Sequence, residues 1–400
     1  MGAEAQHGRS GADASDAPRA SDAPAPARQD RGDRPRVWLL IGHKPGDNAQ
    51  VRHLGRAIGW PTCEKRVVVR PEWETGKPRI RPSLGHVDLA RSDALEEPWP
   101  DLVIGSGRRL ACVALWIARA SKGRTRIVMV GLPRHRFGAF DGIVVASHYV
   151  LPSRANVIRH DLPLLALDPA AIERAVEAWR PRLAALARPI TALMIGGPTG
   201  GLRFDLPAAR RLLEAARADA ARSGGSLFVT TSRRTPVGVV EMLRRECPPE
   251  VALHVFDAAA PPDTNPYLAL LGLAEHFIVT TDSLSMMVEV ARLGRSLAIE
   301  PLEPDAGAFE RALERLGVLH PLDARRDAVP GGGPLARVLD RLGWPIHSRD
   351  LSAIPRRLVE RGLATWLGDP RLPPQAGADD EVHEVAERVR RLVPRGGQAV

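Results

Sequence analysis

The chain has 400 residues, 44% of them hydrophobic and 26% charged, which allows two globular domains with a core each. Its net charge of +9 rests on 52 arginines and only four lysines, a balance that favours an anionic ligand or surface. With seven Phe, two Tyr and eight Trp there is no aromatic-interleaved basic stretch for stacking bases; the isolated Cys63, Cys112 and Cys247 give no disulfide framework or metal spacing, and no apolar run reaches membrane-spanning length.

Residues 1–35 hold almost no large apolar side chain and predict a disordered tail. Its Asp residues argue against a mitochondrial transit peptide, and no signal peptide is recognisable; the isolated cysteines fit a reducing cytoplasm. Val37 to Ile41 predicts the first strand. The turn GHKPGDNAQ (42–50) follows, with Asp47 or Asn48 as N-cap of a helix running on through Val51 to Ile58. Gly42 and Gly46 permit a tight turn and close approach of a ligand. Cys63 to Arg70 is strand-like, and 71–100 reads as a long irregular loop. Leu102 to Ile104 predicts a strand, GSGRR (105–109) a glycine turn, and 110–120 an apolar helix. Arg108 and Arg109 there could clamp an oxyanion through their planar forks. Further strands are expected at Ile127 to Val130 and Gly142 to Ala146. His135 and His148 follow them, where α/β proteins place ligands.

Residues 36–165 thus predict a Rossmann-like N-terminal domain, and the Arg- and Ala-rich 166–188 a helical connection. The strand–turn–helix pattern then restarts over 189–345, predicting a second Rossmann-like domain that binds nucleotide. Thr191 to Ile195 leads into GGPTGGLRFD (196–205) and a helix over 207–222. Leu227 to Thr230 leads into TSRRTP (231–236) and a helix to Cys247. After a strand-like Val251 to Val255 and a helix over 265–276, Phe277 to Thr281 leads into Asp282, Ser283 and Ser285 and the helix MMVEVARL, closed by Gly294; another strand starts at Ser296 to Ile299. The three polar turns stand at the carboxyl ends of parallel strands and converge on one crevice. Gly196, Gly197, Ser232, Arg233, Arg234, Thr235, Asp282, Ser283 and Ser285 are therefore expected to hold a phosphate, and Glu289, four residues beyond Ser285 on one helix face, to accept from sugar hydroxyls. The Walker pattern is absent, so an ATPase is not expected. A helix is expected over 308–316 and two more over 353–366 and 379–393, making 346–400 a helical C-terminal segment.

Two such domains facing a cleft look like a GT-B glycosyltransferase. TDSLSMMVEVARLG resembles the TDSGG-x-Q-E-E-A-x-x-LG stretch of the non-hydrolysing UDP-N-acetylglucosamine 2-epimerases, with Thr281, Asp282, Ser283, Glu289, Leu293 and Gly294 matching and Leu284, Ser285 and Val288 departing from it. That resemblance implies that Ser283 and Ser285 hold a nucleotide diphosphate and Glu289 a ribose. The ordered set GHKPGDNAQ, SGRR, GGPTGGLRFD, TTSRRTP and VTTDSLSMMVE, spread over about residues 36 to 300, resembles the mitochondrial-fission Elm family of plants and Proteobacteria. The expectation is a bacterial protein of the cytoplasm, at most peripheral at the inner face of the membrane, that binds a nucleotide sugar and acts as glycosyltransferase or epimerase. Neither cofactor nor metal is expected. Gly46, Asn48, Gln50, Ser106, Gly107, Arg108 and Arg109 would face the acceptor or an anion, and Asp47 and His148 are the candidate general bases. The alternative is an adaptor that recruits a protein partner to a membrane surface, as the plant branch is implicated in doing. Nucleic-acid binding would rest on charge alone.

Overall fold

The computed structural model describes residues 34–73, 79–133, 137–149, 154–197, 201–305, 307, 312, 315, 350–378 and 380–394. Nearly all of the expected tail, His135, part of the 196–205 turn and, apart from 312 and 315, the helix and loop expected across 308–345 lie outside the described residues.

Strands β1 (Val37–Ile41), β2 (Thr62–Arg66), β3 (Leu102–Ser106), β4 (Arg126–Val130), β5 (Gly142–Ala146) and β6 (Val157–His160) form a first sheet, ordered β2-β1-β3-β4-β5-β6 with every pair parallel. Parallel pairing needs crossovers, and a helix supplies that from β1 to β2 on one face and that from β3 to β4 on the other. Alternate residues of β1 serve the two faces. Val37, Leu39 and Ile41 pack with Val51, Leu54 and Ile58 of helix α1 (Pro45–Ile58), while Trp38 and Leu40 pack with Leu110, Val113 and Ile117 of helix α2 (Gly107–Ala120).

The second sheet holds β7 (Ile190–Ile195), β9 (Ser226–Thr231), β10 (Ala252–His254), β11 (His276–Thr280), β12 (Ser296–Glu300) and β14 (Thr365–Trp366). Its order is β10-β9-β7-β11-β12-β14, again all parallel. Short β8 (Leu202–Arg203) and β13 (Glu303–Pro304) pair antiparallel beside it. Helices α4 (Leu206–Arg222) and α5 (Val237–Glu246) cover one face through Leu212, Ala216, Val239 and Met242. The other face is covered by α3 (Pro169–Leu183), α6 (Tyr267–Leu273), α7 (Leu284–Arg292) and α8 (Ala353–Glu360) through Trp179, Leu270, Met287 and Ile354. So the helix of the expected connection lies within the second sheet's own layer. The last helix, α9 (Val382–Arg390), returns to the first sheet, where Val382, Val385 and Val389 pack against α1.

The two doubly wound sheets match the expected fold class; several local expectations differ. Helix α1 begins at Pro45, preceded by extended Lys44, and not after a cap at Asp47 or Asn48. Proline suits the first helical position because its missing N–H has no intrahelical partner there. Edge strand β6 was not expected, because Val157–His160 carries polar residues in a short run. The single helix expected over 353–366 ends before Gly362, whose φ of +67° stops it, and the chain then enters β14.

Candidate functional site

In the second sheet the strand order reverses direction between β7 and β11. Crossovers leave these neighbours on opposite sides, so a crevice opens outside their carboxyl ends. Three turns meet there. Gly196 donates its N–H to Thr280 Oγ1 (3.2 Å), and that hydroxyl donates to Asp282 Oδ1 (2.5 Å). Thr235 Oγ1 donates to the Gly196 carbonyl (2.6 Å) and accepts from the Ser232 N–H (2.9 Å). Arg234 reaches across with Nη2 to the Asp282 carbonyl (3.4 Å).

The two glycines are required by this closeness. A Cβ on Gly196 would lie 2.0 Å from Ser283 Oγ and 2.5 Å from Asp282 Oδ1. On Gly197 it would lie 1.9 Å from the Arg234 carbonyl oxygen, a backbone atom that cannot swing away. Gly196, Gly197, Ser232, Arg234, Thr235, Asp282 and Ser283 are therefore one interlocked unit. Arg233 and Ser285 stand exposed beside it.

Helix α7 starts at this unit with an unused cap. Ser283 occupies the N-cap position, but its hydroxyl makes no capping bond; it lies 3.5 Å from Asp282 Oδ1 instead. By contrast Asp168 caps α3 and Asp205 caps α4 through carboxylate oxygens. The first amides of α7 are thus left by their own N-cap residue, at the positive end of the helix dipole. Asp282 is buried, and its Oδ2 has no hydrogen-bond partner among the described residues. Burial pushes its carboxyl up from the usual aspartate value, against the pull of the Thr280 bond and of Arg234.

Glu289, on the second turn of α7, is half-buried and accepts a hydrogen bond from the Tyr267 hydroxyl at the start of α6. Burial raises the Glu289 carboxyl, against the lowering effects of that bond and of Arg292. Burial first, then the Glu289 charge, pushes the Tyr267 phenol well above its ordinary value. Tyr267 was not among the expected site residues. It lies 22 residues away in another helix, and no local pattern pairs it with Glu289.

The first sheet reverses between β1 and β3, and its two expected turns meet there. The buried Asn48 amide clamps the turn after β1, accepting from the Gly42 N–H (3.0 Å) and donating to the Gly42 carbonyl (2.8 Å). Asp47 Oδ2 lies 3.8 Å from where a Cβ would stand on Gly107, whose φ is +80°. Ser106, N-cap of α2, likewise makes no capping bond. Its Oγ and the Tyr149 hydroxyl lie 3.8 and 3.4 Å from a Cβ placed on Gly131. Arg108, Arg109 and Gln50 are half-buried around these turns, and Gly46 is exposed. His148 is buried, its ring centroid 4.2 Å from that of Tyr149, and its carbonyl accepts from the Asp350 N–H (2.7 Å). Among the described residues no cluster of His, Cys, Asp and Glu could hold a metal ion, and no helix is long and apolar enough to cross a membrane.

A family model described as mitochondrial fission ELM1 matches residues 45–337. The mitochondrial fission protein ELM1 of Arabidopsis thaliana is 25% identical over 301 residues, 66% of this chain and 69% of that protein. Among solved structures, the UDP-GlcNAc 2-epimerase of Methanocaldococcus jannaschii has a TM-score of 0.44 at 10% identity, over 89% of this chain and 99% of its own. A UDP-glucosyltransferase of Polygonum tinctorium has a TM-score of 0.40 at 12% identity, over 90% of this chain and 98% of its own. These two share a coarse likeness of chain path and no more.

Proposed function

The chain belongs to the mitochondrial fission ELM1 family, and we propose that it binds a nucleotide sugar in the second-sheet crevice and acts as a glycosyltransferase or a sugar-nucleotide epimerase. The supporting observation is the interlocking of Gly196–Gly197, Ser232–Thr235 and Asp282–Ser283 at the start of a helix whose N-cap serine does not cap. Backbone amides aimed by a helix N-terminus suit a diphosphate, and Arg233 and Arg234 add charge for it.

In this reading the second sheet supplies electrostatics. The α7 amides and the two arginines stabilise charge that develops on the diphosphate as the sugar–phosphate bond weakens. Glu289 accepts from the ribose hydroxyls. The first-sheet turns, Gly46 to Gln50 and Ser106 to Arg109, face the acceptor, and Asp47 or His148 takes the proton as general base. The proposed location is the cytoplasm, with the arginine-rich surface suited to an anionic membrane face.

A thermal-shift screen against UDP-, GDP-, CMP- and dTDP-linked sugars tests this. A ligand that binds only the native state raises the melting temperature. One nucleotide class is expected to do so, with the shift lost or strongly reduced in Arg234→Ala. A folded protein that none of them shifts would refute the reading and leave the adaptor alternative.

A further inference from the structure

We propose that Asp380 is the clasp that fixes the two sheets against each other: it joins Arg292, the last residue of α7, to His53 of α1, and so sets how far apart the crevice turns at the starts of those two helices stand.

The two sheets share no apolar core among the described residues. Each of the four buried apolar clusters takes its strand residues from one sheet alone. Domains joined without a large apolar interface move relative to one another by default. What holds these two in place is polar. Arg292, whose side chain is 6% exposed, donates to the carbonyls of Pro163 (3.1 Å) and Leu165 on the stretch leaving β6, and its Nη2 lies 3.2 Å from Asp380 Oδ1. Asp380 Oδ2 meets His53 Nε2 at 2.6 Å, and Oδ1 also accepts from the Val382 N–H (3.2 Å) at the start of α9. Burial opposes ionisation of Asp380, but the His53 bond and the Arg292 charge outweigh it and hold the carboxyl below its ordinary value. An ionised carboxylate can accept from both sides at once.

The chain around Asp380 is fastened on either side of it. The Gln375 N–H donates to the Gly294 carbonyl (3.1 Å) and the Ala378 N–H to the Ala291 carbonyl (3.0 Å), so close to α7 that a Cβ on Gly377 would lie 1.9 Å from the Arg292 carbonyl oxygen. Val382 and Val385 then pack with the residues of α1. The other polar contacts at the crossing are weaker or single. Arg357 and Arg361 stand 3.8 Å from the Asp161 carboxylate, and Arg361 stands 3.7 Å from Glu381. These arginines are partly exposed, where an ion pair is screened. Two hydrogen bonds add to them, from the Asp161 N–H to Glu381 Oε2 (2.5 Å) and from the Asp350 N–H to the His148 carbonyl (2.7 Å). Removing the Asp380 carboxylate does more. It leaves the buried Arg292 guanidinium without its counter-charge and cuts His53 loose in one step.

The separation of the sheets can be read directly. Nitroxide labels are placed on the exposed Cys63 of β2 and on Val237→Cys at the exposed start of α5, with Cys247→Ser and the buried Cys112 left unlabelled. Pulsed electron resonance then records the distribution of label distances. The otherwise native chain is expected to give one narrow distribution. Asp380→Ala and His53→Ala should each lose it to a broader or displaced one, while far-ultraviolet circular dichroism stays native. Glu246→Gln, which breaks the pair with Arg210 inside the second sheet's own layer, should keep the native distribution and so separates the clasp from a general loss of stability. A folded Asp380→Ala with the native distribution, an otherwise native chain that is already broad, or a Glu246→Gln variant that broadens as much would each overturn the proposal. If Asp380→Ala does not fold, His53→Ala decides, because it cuts only the arm to the first sheet: a native distribution there overturns the clasp.

Discussion

Asp282 shows what the crevice asks of a single side chain. It is buried between the turn after β7 and the start of α7, with Thr280 donating to one oxygen and the other without a partner among the described residues. Burial raises its folded-state pKa above the unfolded value. A raised pKa means that the group's favourable contribution is fully present below the unfolded value and is lost as pH rises through the folded one. Asp282→Asn keeps an oxygen to accept from Thr280 and removes the charge. Relative to the native protein, the variant should therefore gain melting temperature on going from pH 4 to pH 7; a constant difference across that range would contradict the assignment. Residue patterns gave much of this unit in advance. Gly–Gly, Ser–Arg–Arg–Thr and Asp–Ser after apolar runs were legible as turns. What they did not reveal is that the glycines make room for neighbouring turns of the chain itself, so close that an added Cβ would lie 1.9 to 2.5 Å from them.

At the scale of elements, the strands most legible in the sequence were β1 and β5. They are continuous apolar runs, fully buried between two helical layers. Edge strand β6 and two-residue β14 escaped because an edge needs only half an apolar face. The Tyr267–Glu289 bond escaped because periodicity says which side of a helix is buried and not what meets it. The last residue of β6 is a pH-dependent group of its own. His160 is buried and lies 2.7 Å through Nδ1 from the Leu162 carbonyl, which suits a neutral ring donating that proton. Burial pushes its pKa down to about 4, with Arg292 adding to the effect. A lowered folded pKa gives stability that is present above the unfolded value near 6.5 and lost as pH falls toward 4. The loss over that window is of order 3 kcal/mol, at about 1.4 kcal/mol per pH unit. His160→Asn can still donate to Leu162, so urea unfolding at pH 7 and pH 5 should show a clearly flatter pH dependence in the variant. An unchanged slope would mean that His160 does not titrate in this way.

At the scale of the whole molecule, the C-terminal segment ties the two sheets together. Arg292, at the end of α7, donates to the carbonyls of Pro163 and Leu165 and lies 3.2 Å from Asp380 Oδ1, while His53 of α1 meets the other oxygen of Asp380 at 2.6 Å. Arg390 donates to the carbonyls of Ala57 (2.7 Å) and Ile58 (2.8 Å), satisfying the last turn of α1. The amphipathic pattern of α9 predicted a packing helix but could not say that it would cross to the first sheet. Val385→Ala removes two buried methyl groups from that contact and should cost about 2 kcal/mol of unfolding free energy. A variant within experimental error of the native protein would mean that α9 is not an integral part of the first sheet's layer.

The crevice at the β7/β11 reversal is the centre of the functional reading. The most direct measurement is calorimetric titration of UDP, GDP, CDP and dTDP into the native protein and into Gly197→Ala, both checked for folding. The Cβ added at Gly197 pushes the Arg234 backbone away from the unit without touching Glu289 or the first-sheet turns. One-to-one binding of at least one diphosphate to the native protein, weakened tenfold or more in Gly197→Ala, is the predicted result. Binding of equal strength in both proteins would place the nucleotide elsewhere, and no binding to the native protein would contradict the nucleotide reading outright.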